Sequence, residues 1–474
     1  MRFRLVIKFT MGSGNLSREE FIEQHQTEFK NIFKEFIGLK SLSVTGEGID
    51  ETVDFLEKLL KKLLKAQIEV IKTAGHPIIL AKLAGKSDEN VLFYGHYDVM
   101  EPGDLNSWSS DPFKLTKTNG RFVARGAGDN KGQLLAQILG IYTYLQTHES
   151  LPFNITLFIE GEEEQGSPNL APTIEKLKNT KLSQVNTAIV VDGSANPDGT
   201  NVLRLGNRGV FSFELISKTA THDNHSGSLG NVMENSVTQL LNFLDKIYDS
   251  KNGLVKLPHF YDGVTEPTKQ ELAWIKLLPF DKKQIMQQAG INELDMDQET
   301  YYRNLMFKPT FNISSFKAGY LGKGIKTSIP HQAMLKVDCR LVGQQDINQI
   351  KTDLFEIFSD EITTNKLEVK TLGQLPPEKT KAPDEQINQL FQAIKRATGK
   401  VYIEPAMPGS VPNYVWKDIL KVPVFTIPYA NSDEHNHDFN ENITEKNFYN
   451  GIRISYELLK AVRQIKLMAV YISS

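Results

Sequence analysis

The sequence predicts an α/β protein in which a mainly parallel mixed sheet is flanked by helices and interrupted by an inserted α+β domain. Two observations support this prediction. Short continuous runs of apolar, often β-branched residues alternate with helical patterns, which is typical of parallel strands buried on both faces. Between about residues 205 and 380, the strand-like segments instead alternate apolar with polar residues, as in a sheet with one solvent-exposed face.

The elements of the first region follow from these patterns in chain order. The first 75 residues are predicted to be mainly helical, because Phe and Leu recur at helical spacing. Continuous apolar runs then predict buried strands, at residues 78–83, 91–94, 155–159, 187–191 and, far downstream, 422–427. Helical patterns at 132–148 and 170–177 separate these runs, and a last helix is expected from Glu445 to about Lys466.

The inserted region has its own pattern. Alternating strands are predicted at residues 210–217, 310–316 and 331–341, accompanied by helices at 232–248 and 347–358. Charged residues and prolines cluster at 375–383 and predict a linker. We therefore expect one domain built from residues 1–205 and 381–474, with a second domain, residues 206–380, inserted into it.

Composition narrows the possible functions. The chain has 474 residues and a formal net charge of −3, from 54 Lys and Arg against 57 Asp and Glu. This balance argues against nucleic acid or an anionic membrane as the main partner, because either requires a concentrated basic face. No uncharged stretch predicts a transmembrane helix. The single cysteine, Cys339, excludes an internal disulfide and suits a reducing compartment, so we expect a cytoplasmic protein whose size favours an enzyme.

Acidic and histidine residues follow most of the predicted buried strands. In open α/β sheets the ligand site lies at the carboxyl ends of the strands. The residues concerned are His96 and Asp98, Glu163 and Glu164, Asp192, and His435 and His437, with Asp129 in a Gly-rich turn before the helix at 132–148. Any one of them alone is more often a helix cap or a solvated loop charge. Their recurrence on successive strands favours a metal site.

The spacing and charge of these residues suggest separate roles. His96 and Asp98 lie two positions apart, so on an extended segment Asp98 can accept the imidazole N–H of His96. Glu163 and Glu164 are adjacent, so that one can bind metal while the other handles protons. The four carboxylates of Asp129, Glu163, Glu164 and Asp192 would be neutralised by two divalent cations. Mixed His and carboxylate ligands suit zinc, with manganese or cobalt as alternatives.

The chain also resembles a known family, metallopeptidase family 20, which contains carnosinase, the aminoacylases and succinyl-diaminopimelate desuccinylase. The resemblance rests on short motifs that occur in family order between Gly95 and Ile443: GHYDVMEP (95–102), WSSDPF (108–113), ARGAGDNKG (124–132), EGEEEQGS (160–167), VVDGS (190–194), GNRGV (206–210), HSG (225–227), KTSIP (326–330), PGSVP (408–412) and HDFNENI (437–443). The WSSDPF and GDNKG segments are most similar to the carnosinase-like dipeptidase branch. The resemblance implies a zinc-peptidase-like catalytic domain and an inserted lid and dimerisation domain.

Position by position, the resemblance implies roles for the metal-site residues. Asp129 would bridge two metal ions, which are expected to be zinc. His96 and Asp192 would complete one site, and Glu164 and His437 would complete the other. Glu163 would be the general base, and Asp98 the partner of His96. The family histidine is followed after two residues by Asn-Glu, which His437 satisfies and His435 does not.

The resemblance also implies roles for residues of the inserted domain and its surroundings. His225 aligns with a histidine that reaches the active site of the partner subunit, which implies a homodimer. Arg340, Thr327 and Ser410 match positions that hold the carboxylate end of the substrate. His222, three residues before His225, has no counterpart in the family pattern and is interpreted as structural or as tuning the substrate site.

The implied reaction is hydrolysis of an amide bond in dipeptides or other small peptides with a free C-terminal carboxylate. An N-acyl amino acid deacylase is the alternative within the family, since it would share the metal ions, the base and the carboxylate-binding residues. A non-catalytic homologue that binds metal and peptide is a further alternative. The unligated carboxylate expected at Glu163 argues against it, because pure binding requires no base beside the metal.

Overall fold

The computed structural model describes residues 16–461, which form two compact units. The first unit contains the residues up to Leu205, Thr380–Glu404 and the residues from Val415 onward. The second unit contains Gly206–Lys379 together with Pro405–Tyr414. Within residues 16–461, none of the helices combines the length and the apolar character that crossing a membrane requires.

The described residues form the following helices and strands. The helices are α1 (Arg18–Ile37), α2 (Ile49–Leu64), α3 (Lys131–Thr147), α4 (Leu170–Leu177), α5 (Ser226–Leu229), α6 (Ser236–Ile247), α7 (Lys269–Ile275), α8 (Lys282–Ala289), α9 (Gln298–Phe307), α10 (Ile347–Ile357), α11 (Ser359–Thr363), α12 (Asp384–Thr398) and α13 (Glu445–Ala461). The strands are β1 (Gln67–Ile71), β2 (Ile78–Leu83), β3 (Asn90–His96), β4 (Thr116–Thr118), β5 (Arg121–Val123), β6 (Asn154–Glu160), β7 (Thr187–Val190), β8 (Asn201–Arg204), β9 (Gly206–Asn207), β10 (Gly209–Lys218), β11 (Asn224–His225), β12 (Tyr248–Asp249), β13 (Leu254–Val255), β14 (Thr310–Ala318), β15 (Ser328–Ile329), β16 (Gln332–Leu341), β17 (Leu367–Leu375), β18 (Glu378–Lys379), β19 (Val401–Glu404), β20 (Val424–Thr426) and β21 (Asn442–Thr444).

The first unit is built on an eight-stranded mixed sheet with the order β1-β2-β6-β3-β7-β20-β8-β19. The central strand β3 pairs in parallel with β6 and β7, and β20 pairs in parallel with β7. The pairs β1–β2 and β2–β6 are antiparallel. The predicted α/β class with a mainly parallel mixed sheet is therefore confirmed, and each of the five continuous apolar runs forms one of its strands.

Burial explains why these runs lack alternation. All residues of β3 are buried, and α3 is buried over most of its length because α1 and α13 pack against it. A strand with both faces covered needs apolar residues at successive positions. The aromatic residues of α1 belong to this core: Phe33 is fully buried, and its ring stacks on Phe448 of α13 with 5.0 Å between centroids.

The predicted helical character of the first 75 residues is confirmed only in part. The helices α1 and α2 form as the periodicity indicates, and Ser17 and Glu20 begin α1 with a reciprocal capping box. However, residues 67–71 form the edge strand β1, which lies against β2. Residues 1–15 and the predicted last turn of α13 lie outside the described residues.

The second unit contains a four-stranded antiparallel sheet with the order β14-β16-β10-β17. Alternate residues of β16 are buried, as its sequence pattern predicts. The buried face packs against α6 and α10 in one apolar core, which includes Phe213, Leu240, Val337 and the buried Cys339.

Two boundaries in this region differ from the predictions. Helix α6 begins at Ser236 rather than near residue 232, because the side chain of Asn235 accepts the N–H groups of Val237 and Thr238 and caps the helix there. The predicted linker at 375–383 is partly ordered by pairing, since β18 within it forms an antiparallel pair with β9.

Candidate metal centre

The strand ends of the first unit bring the predicted metal-binding residues together. Strand β3 ends at His96, β6 is followed after two residues by Glu163 and Glu164, and β7 is followed after one residue by Asp192. Because β6, β3 and β7 are parallel neighbours, their carboxyl ends lie at one edge of the sheet. His96 and Asp192 are buried there, and Glu163 lies in the short 3-10 helix Glu163–Gln165.

Two groups of side chains at this edge have the chemistry and spacing of metal ligands. One group consists of His96, Glu163 and Asp192, and the other of Asp129, Glu164 and His437; within each group the possible ligand atoms lie within 4.8 Å of one another. Histidine nitrogen with carboxylate oxygen is a donor set that suits zinc and similar divalent ions. The residues therefore fit two divalent metal ions.

Asp129 connects the two groups. Its Oδ1 lies 2.9 Å from Nε2 of His96, and its Oδ2 lies 3.3 Å from Nε2 of His437. In turn, Nε2 of His437 lies 2.8 Å from Oε2 of Glu164. A carboxylate that directs one oxygen toward each group has the geometry required to bridge two cations.

Glu163 contributes to only one of the groups. Its Oε2 lies 3.9 Å from Nε2 of His96, and its side chain is 20% exposed. By distance alone, Glu163 can reach the same ion as His96 and Asp192, so a role as ligand and a role as base are both compatible with its position. His435 belongs to neither group and is exposed, whereas His437 lies beside Asp129.

Asp98 belongs to neither ligand group and holds residues of both in position. It is fully buried, and its Oδ1 lies 3.3 Å from Nδ1 of His96. Its oxygens also accept the backbone N–H of Glu163 at 3.2 Å, the backbone N–H of Glu164 at 3.1 Å and the hydroxyl of Ser43 at 2.6 Å. Asp98 therefore contacts Nδ1 of His96 through its backbone carbonyl oxygen at 3.1 Å as well as through its carboxylate, and the carboxylate also holds the segment that carries both glutamates.

Several contributing residues were missed by the sequence analysis. Ser43 contacts Asp98 as described, and Asn130 donates its side-chain amide to the backbone carbonyl of Val191 at 2.9 Å and to Oδ1 of Asp192 at 3.3 Å. Asn130 lies inside the GDNKG motif, so the motif could have identified it. Ser43 lies in a segment with no catalytic pattern, and nothing in its local sequence indicates the contact.

Burial and crowding of negative charge perturb the acidic groups. Burial, followed by the repulsion of Asp129, raises the pKa of Glu164 to about 7 and that of Asp192 to about 6. Burial raises the pKa of Glu163 well above its usual range. Hydrogen bonds to Asp129 and Glu164 raise the pKa of His437 to about 10. Divalent cations would relieve this crowding.

The residues predicted to contact substrate form two pairs within the second unit. Nε2 of His225, on β11, lies 3.2 Å from the hydroxyl of Thr327, the residue before the paired strand β15. Arg340, on β16, donates from Nη1 to the hydroxyl of Ser410 at 2.9 Å. His222 is exposed and contacts the neighbouring Thr221 rather than this pair.

A second arginine lies beside Arg340 and was not singled out by the sequence analysis. Arg208, in the GNRGV motif, donates from Nε to the backbone carbonyl of Pro408 at 2.7 Å. Burial, followed by repulsion from the guanidinium of Arg340, lowers the pKa of Arg208 to about 10. Two neighbouring guanidinium groups beside the 408–410 loop favour the binding of an anionic group such as a carboxylate.

Comparisons with known proteins agree with this arrangement. The family model described as peptidase family M20/M25/M40 matches residues 92–461. The beta-Ala-His dipeptidase of Homo sapiens is 27% identical over 467 residues, which cover 92% of this chain and 90% of that protein. A Cys-Gly metallodipeptidase of Saccharomyces cerevisiae is 27% identical over 387 residues, which cover 80% of each chain.

A solved structure is also similar over most of its length. It is an M20 family metallo-carboxypeptidase from Sulfolobus solfataricus, with a TM-score of 0.84 and 32% identity, covering 92% of this chain and 99% of that one. The predicted resemblance to the carnosinase-like branch is confirmed by the dipeptidases among the relatives. The chain therefore belongs to peptidase family M20/M25/M40 and is a metallohydrolase.

Proposed function

We propose that this enzyme hydrolyses the amide bond of dipeptides and other small peptides with a free C-terminal carboxylate, using two divalent metal ions. The observation that carries the proposal is the position of Asp129 between the two ligand groups, 2.9 Å from His96 and 3.3 Å from His437. The dipeptidases among the relatives support dipeptides as the substrate class.

The side chains divide the work of the reaction. When bound by the two groups, the metal ions would polarise the substrate carbonyl and make water more acidic. Glu163 would accept the proton of the attacking water and pass it to the leaving amine. Burial raises the pKa of Glu163, which makes its carboxylate a stronger base toward the proton of the attacking water. Asp98 would keep His96 and the glutamate segment in position.

The second unit would supply substrate recognition. Arg340 would pair with the C-terminal carboxylate of the substrate, with Ser410 holding the guanidinium and Arg208 adding a second positive charge. His225, oriented by Thr327, would donate to the carbonyl oxygen of the scissile amide. This assignment accounts for a requirement for a free C-terminus without specifying the other side chains of the substrate.

We further propose that the enzyme acts as a homodimer in which His225 of one subunit serves the active site of the other. The second unit offers a suitable surface, because β14 is an edge strand of its sheet with Ile313 and Phe316 exposed. Nearby in sequence, Leu321 and Ile325 are 76% and 96% exposed. Light scattering of the purified protein should give twice the chain mass, and replacing Leu321 and Ile325 by Glu should yield monomers.

The identity of the metal and the cellular compartment of the enzyme are also proposed here. We propose zinc as the physiological metal, with manganese or cobalt as competitors, because the donor set mixes histidine with carboxylates. Metal analysis of protein isolated without added metal tests this. A cytoplasmic location is proposed from the single cysteine, Cys339, which is buried on β16 and suits a reducing compartment.

The activity is tested by measuring amine release from matched panels of dipeptides, longer peptides and N-acyl amino acids, with and without a chelator. Chelator-sensitive cleavage of dipeptides is the expected result. The similarity to a metallo-carboxypeptidase suggests a second candidate activity, which is release of the C-terminal residue from longer or N-blocked peptides. Cleavage confined to N-acyl amino acids would reassign the enzyme as a deacylase, and absence of turnover despite bound metal would favour a binding role.

A further inference from the structure

A buried carboxylate with no role in the reaction described above lies directly behind the Asp129 turn. Oε1 of Glu441 accepts the backbone N–H of Gly128 at 2.9 Å and that of Asp129 at 2.8 Å. Its Oε2 accepts the backbone N–H of Gly126 at 3.0 Å and Nη1 of Arg125 at 2.8 Å. The side chains of Arg125 and Glu441 are 2% and 1% exposed, so water does not share these bonds.

The same ion pair joins several of the sequence motifs. Besides Glu441, the guanidinium of Arg125 donates from Nη2 to the backbone carbonyl of Glu101 at 3.2 Å, and it lies 5.3 Å from the centre of the Trp108 ring. Glu441 itself follows His437 by four residues. The pair therefore connects the segment after His96, the turn of Asp129 and the loop of His437.

We propose that Glu441 is a positioning residue that holds the Asp129 turn in the conformation required for metal binding, with Arg125 as its counter-charge. This inference rests on the proposed role of Asp129 as a bridging ligand. Three of the four donors that reach Glu441 are backbone N–H groups of residues 126–129, so its charge is directed at the turn rather than at a neighbouring side chain alone.

The chemistry of the carboxylate makes the requirement specific. An ionised carboxylate offers two acceptor oxygens, whereas a glutamine amide offers one oxygen and two N–H donors. In Glu441→Gln, at least two of the four donors would therefore face an amide nitrogen instead of an acceptor. In a buried position such donors cannot turn to water, so the turn must shift and move Asp129 away from His96 or His437.

The test compares metal affinity with fold stability. The metal-free wild type, Glu441→Gln and Asp129→Asn would be titrated with zinc by calorimetry in a competing chelator, and thermal unfolding of each metal-free protein would be recorded. We expect Glu441→Gln to bind zinc about 10- to 100-fold more weakly than wild type, the usual effect of removing a partner of a metal ligand. Asp129→Asn should lose more, which tests the bridging role independently.

A matched control variant distinguishes loss of the positioning role of Glu441 from the general effect of losing a buried ion pair. Glu457, on α13, pairs with Arg18 at 2.7 Å and with Arg396 at 2.9 Å, and its side chain is 8% exposed. Glu457→Gln should lower the unfolding temperature and leave zinc affinity within about threefold of wild type, because distant sites act independently.

The outcomes decide whether Glu441 positions the Asp129 turn for metal binding. Wild-type zinc affinity in folded Glu441→Gln, or an equal loss of affinity in Glu457→Gln, overturns the positioning role. Normal zinc binding by Asp129→Asn instead overturns the proposed metal centre. If Glu441→Gln does not fold, Arg125→Lys decides, since an ammonium lacks the planar pair of nitrogens with which Arg125 contacts Glu441 and Glu101. Weaker zinc binding by this folded variant supports the role, and unchanged binding overturns it.

Discussion

Replacement of Glu163 by Gln distinguishes the two roles that its position allows. The change removes the charge and the basic oxygen while keeping the size of the side chain. If Glu163 is the general base, its replacement leaves every metal ligand in place. His96 and Asp192 still bind one ion, Glu164 and His437 still bind the other, and Asp129 lies between them. Both metal ions should then remain bound.

The size of the expected loss follows from the role. A positioned acid or base contributes about 10²- to 10⁴-fold to the rate. This corresponds to about 3 to 5 kcal/mol of transition-state stabilisation at 1.36 kcal/mol per factor of ten. Because Glu163 is proposed to act on the attacking water rather than on the substrate carboxylate, the loss should appear in kcat with little change in KM.

The assay combines turnover with metal counting. Initial rates on a dipeptide give kcat and KM, and metal analysis of the same preparation gives the number of ions per chain. Glu162→Gln is the matched control, because Glu162 is a neighbouring buried carboxylate that accepts from Asn169 at 2.7 Å and belongs to neither ligand group. Loss of one metal ion in Glu163→Gln would identify Glu163 as a ligand, and near-wild-type kcat would refute its role as the base.

Three further predictions concern the surroundings of the site. Ser43→Ala removes the 2.6 Å hydrogen bond to Asp98 and should weaken zinc binding measurably while the protein stays folded, as calorimetry and circular dichroism can check. Arg340→Met should raise KM for a dipeptide with a free C-terminus by about 10- to 100-fold, which corresponds to the loss of one hydrogen bond to a charged group. In steady-state assays the variant should no longer prefer this dipeptide over its C-terminally amidated analogue. Zinc affinity should rise by about tenfold per pH unit between pH 6 and 8, because zinc must displace the proton that His437 retains up to its pKa of about 10. The proton that Glu164 holds up to its pKa of about 7 adds to this pH dependence. Calorimetry in buffers of different ionisation enthalpy measures the protons that are released when zinc binds.

Each of these predictions has a control and a contradicting result. Ser41→Ala removes another buried hydroxyl, which donates to the Tyr97 carbonyl at 2.7 Å, and should not change zinc affinity; equal effects of both variants would contradict the role of Ser43. Lys336→Met, on the same strand as Arg340, should leave KM unchanged. The sign of the pH effect is fixed by competition: protonated ligands exclude metal, so affinity that is constant from pH 6 to 8 would contradict the assigned ligands.

The sequence alone was sufficient to predict the fold class and most of the residues that the structure brings together in the two candidate ligand groups. Strands buried on both faces leave continuous apolar runs, and such runs are local features that can be read without the tertiary structure. The residues after those strands could be predicted as one site because parallel strands end at the same edge of a sheet. His96 with Asp98, and Glu163 with Glu164, also lie close enough in sequence for their spacing to carry information.

Other predictions failed where pairing or packing overrides local pattern. Residues 67–71 form β1 because β2 offers an unpaired edge, although the preceding residues are helical. The charged and proline-rich segment at 375–383 carries β18 because β9 pairs with it. β9 and β18 lie far apart in the sequence, so local pattern gave no indication of their pairing, whereas β1 pairs with β2, the next strand along the chain.

The supporting residues of the metal centre depend on the tertiary structure for the same reason. Ser43 lies 55 residues from the Asp98 that it contacts, and Glu441 lies 312 residues from Asp129. A hydrogen bond requires its donor and acceptor to come within about 3 Å, and only the folded chain brings such distant residues that close. The sequence by itself determined which groups are proposed to perform the chemistry, because their types and their places after the strands are local. The tertiary structure decided which groups hold them, because those contacts join segments that share no local pattern.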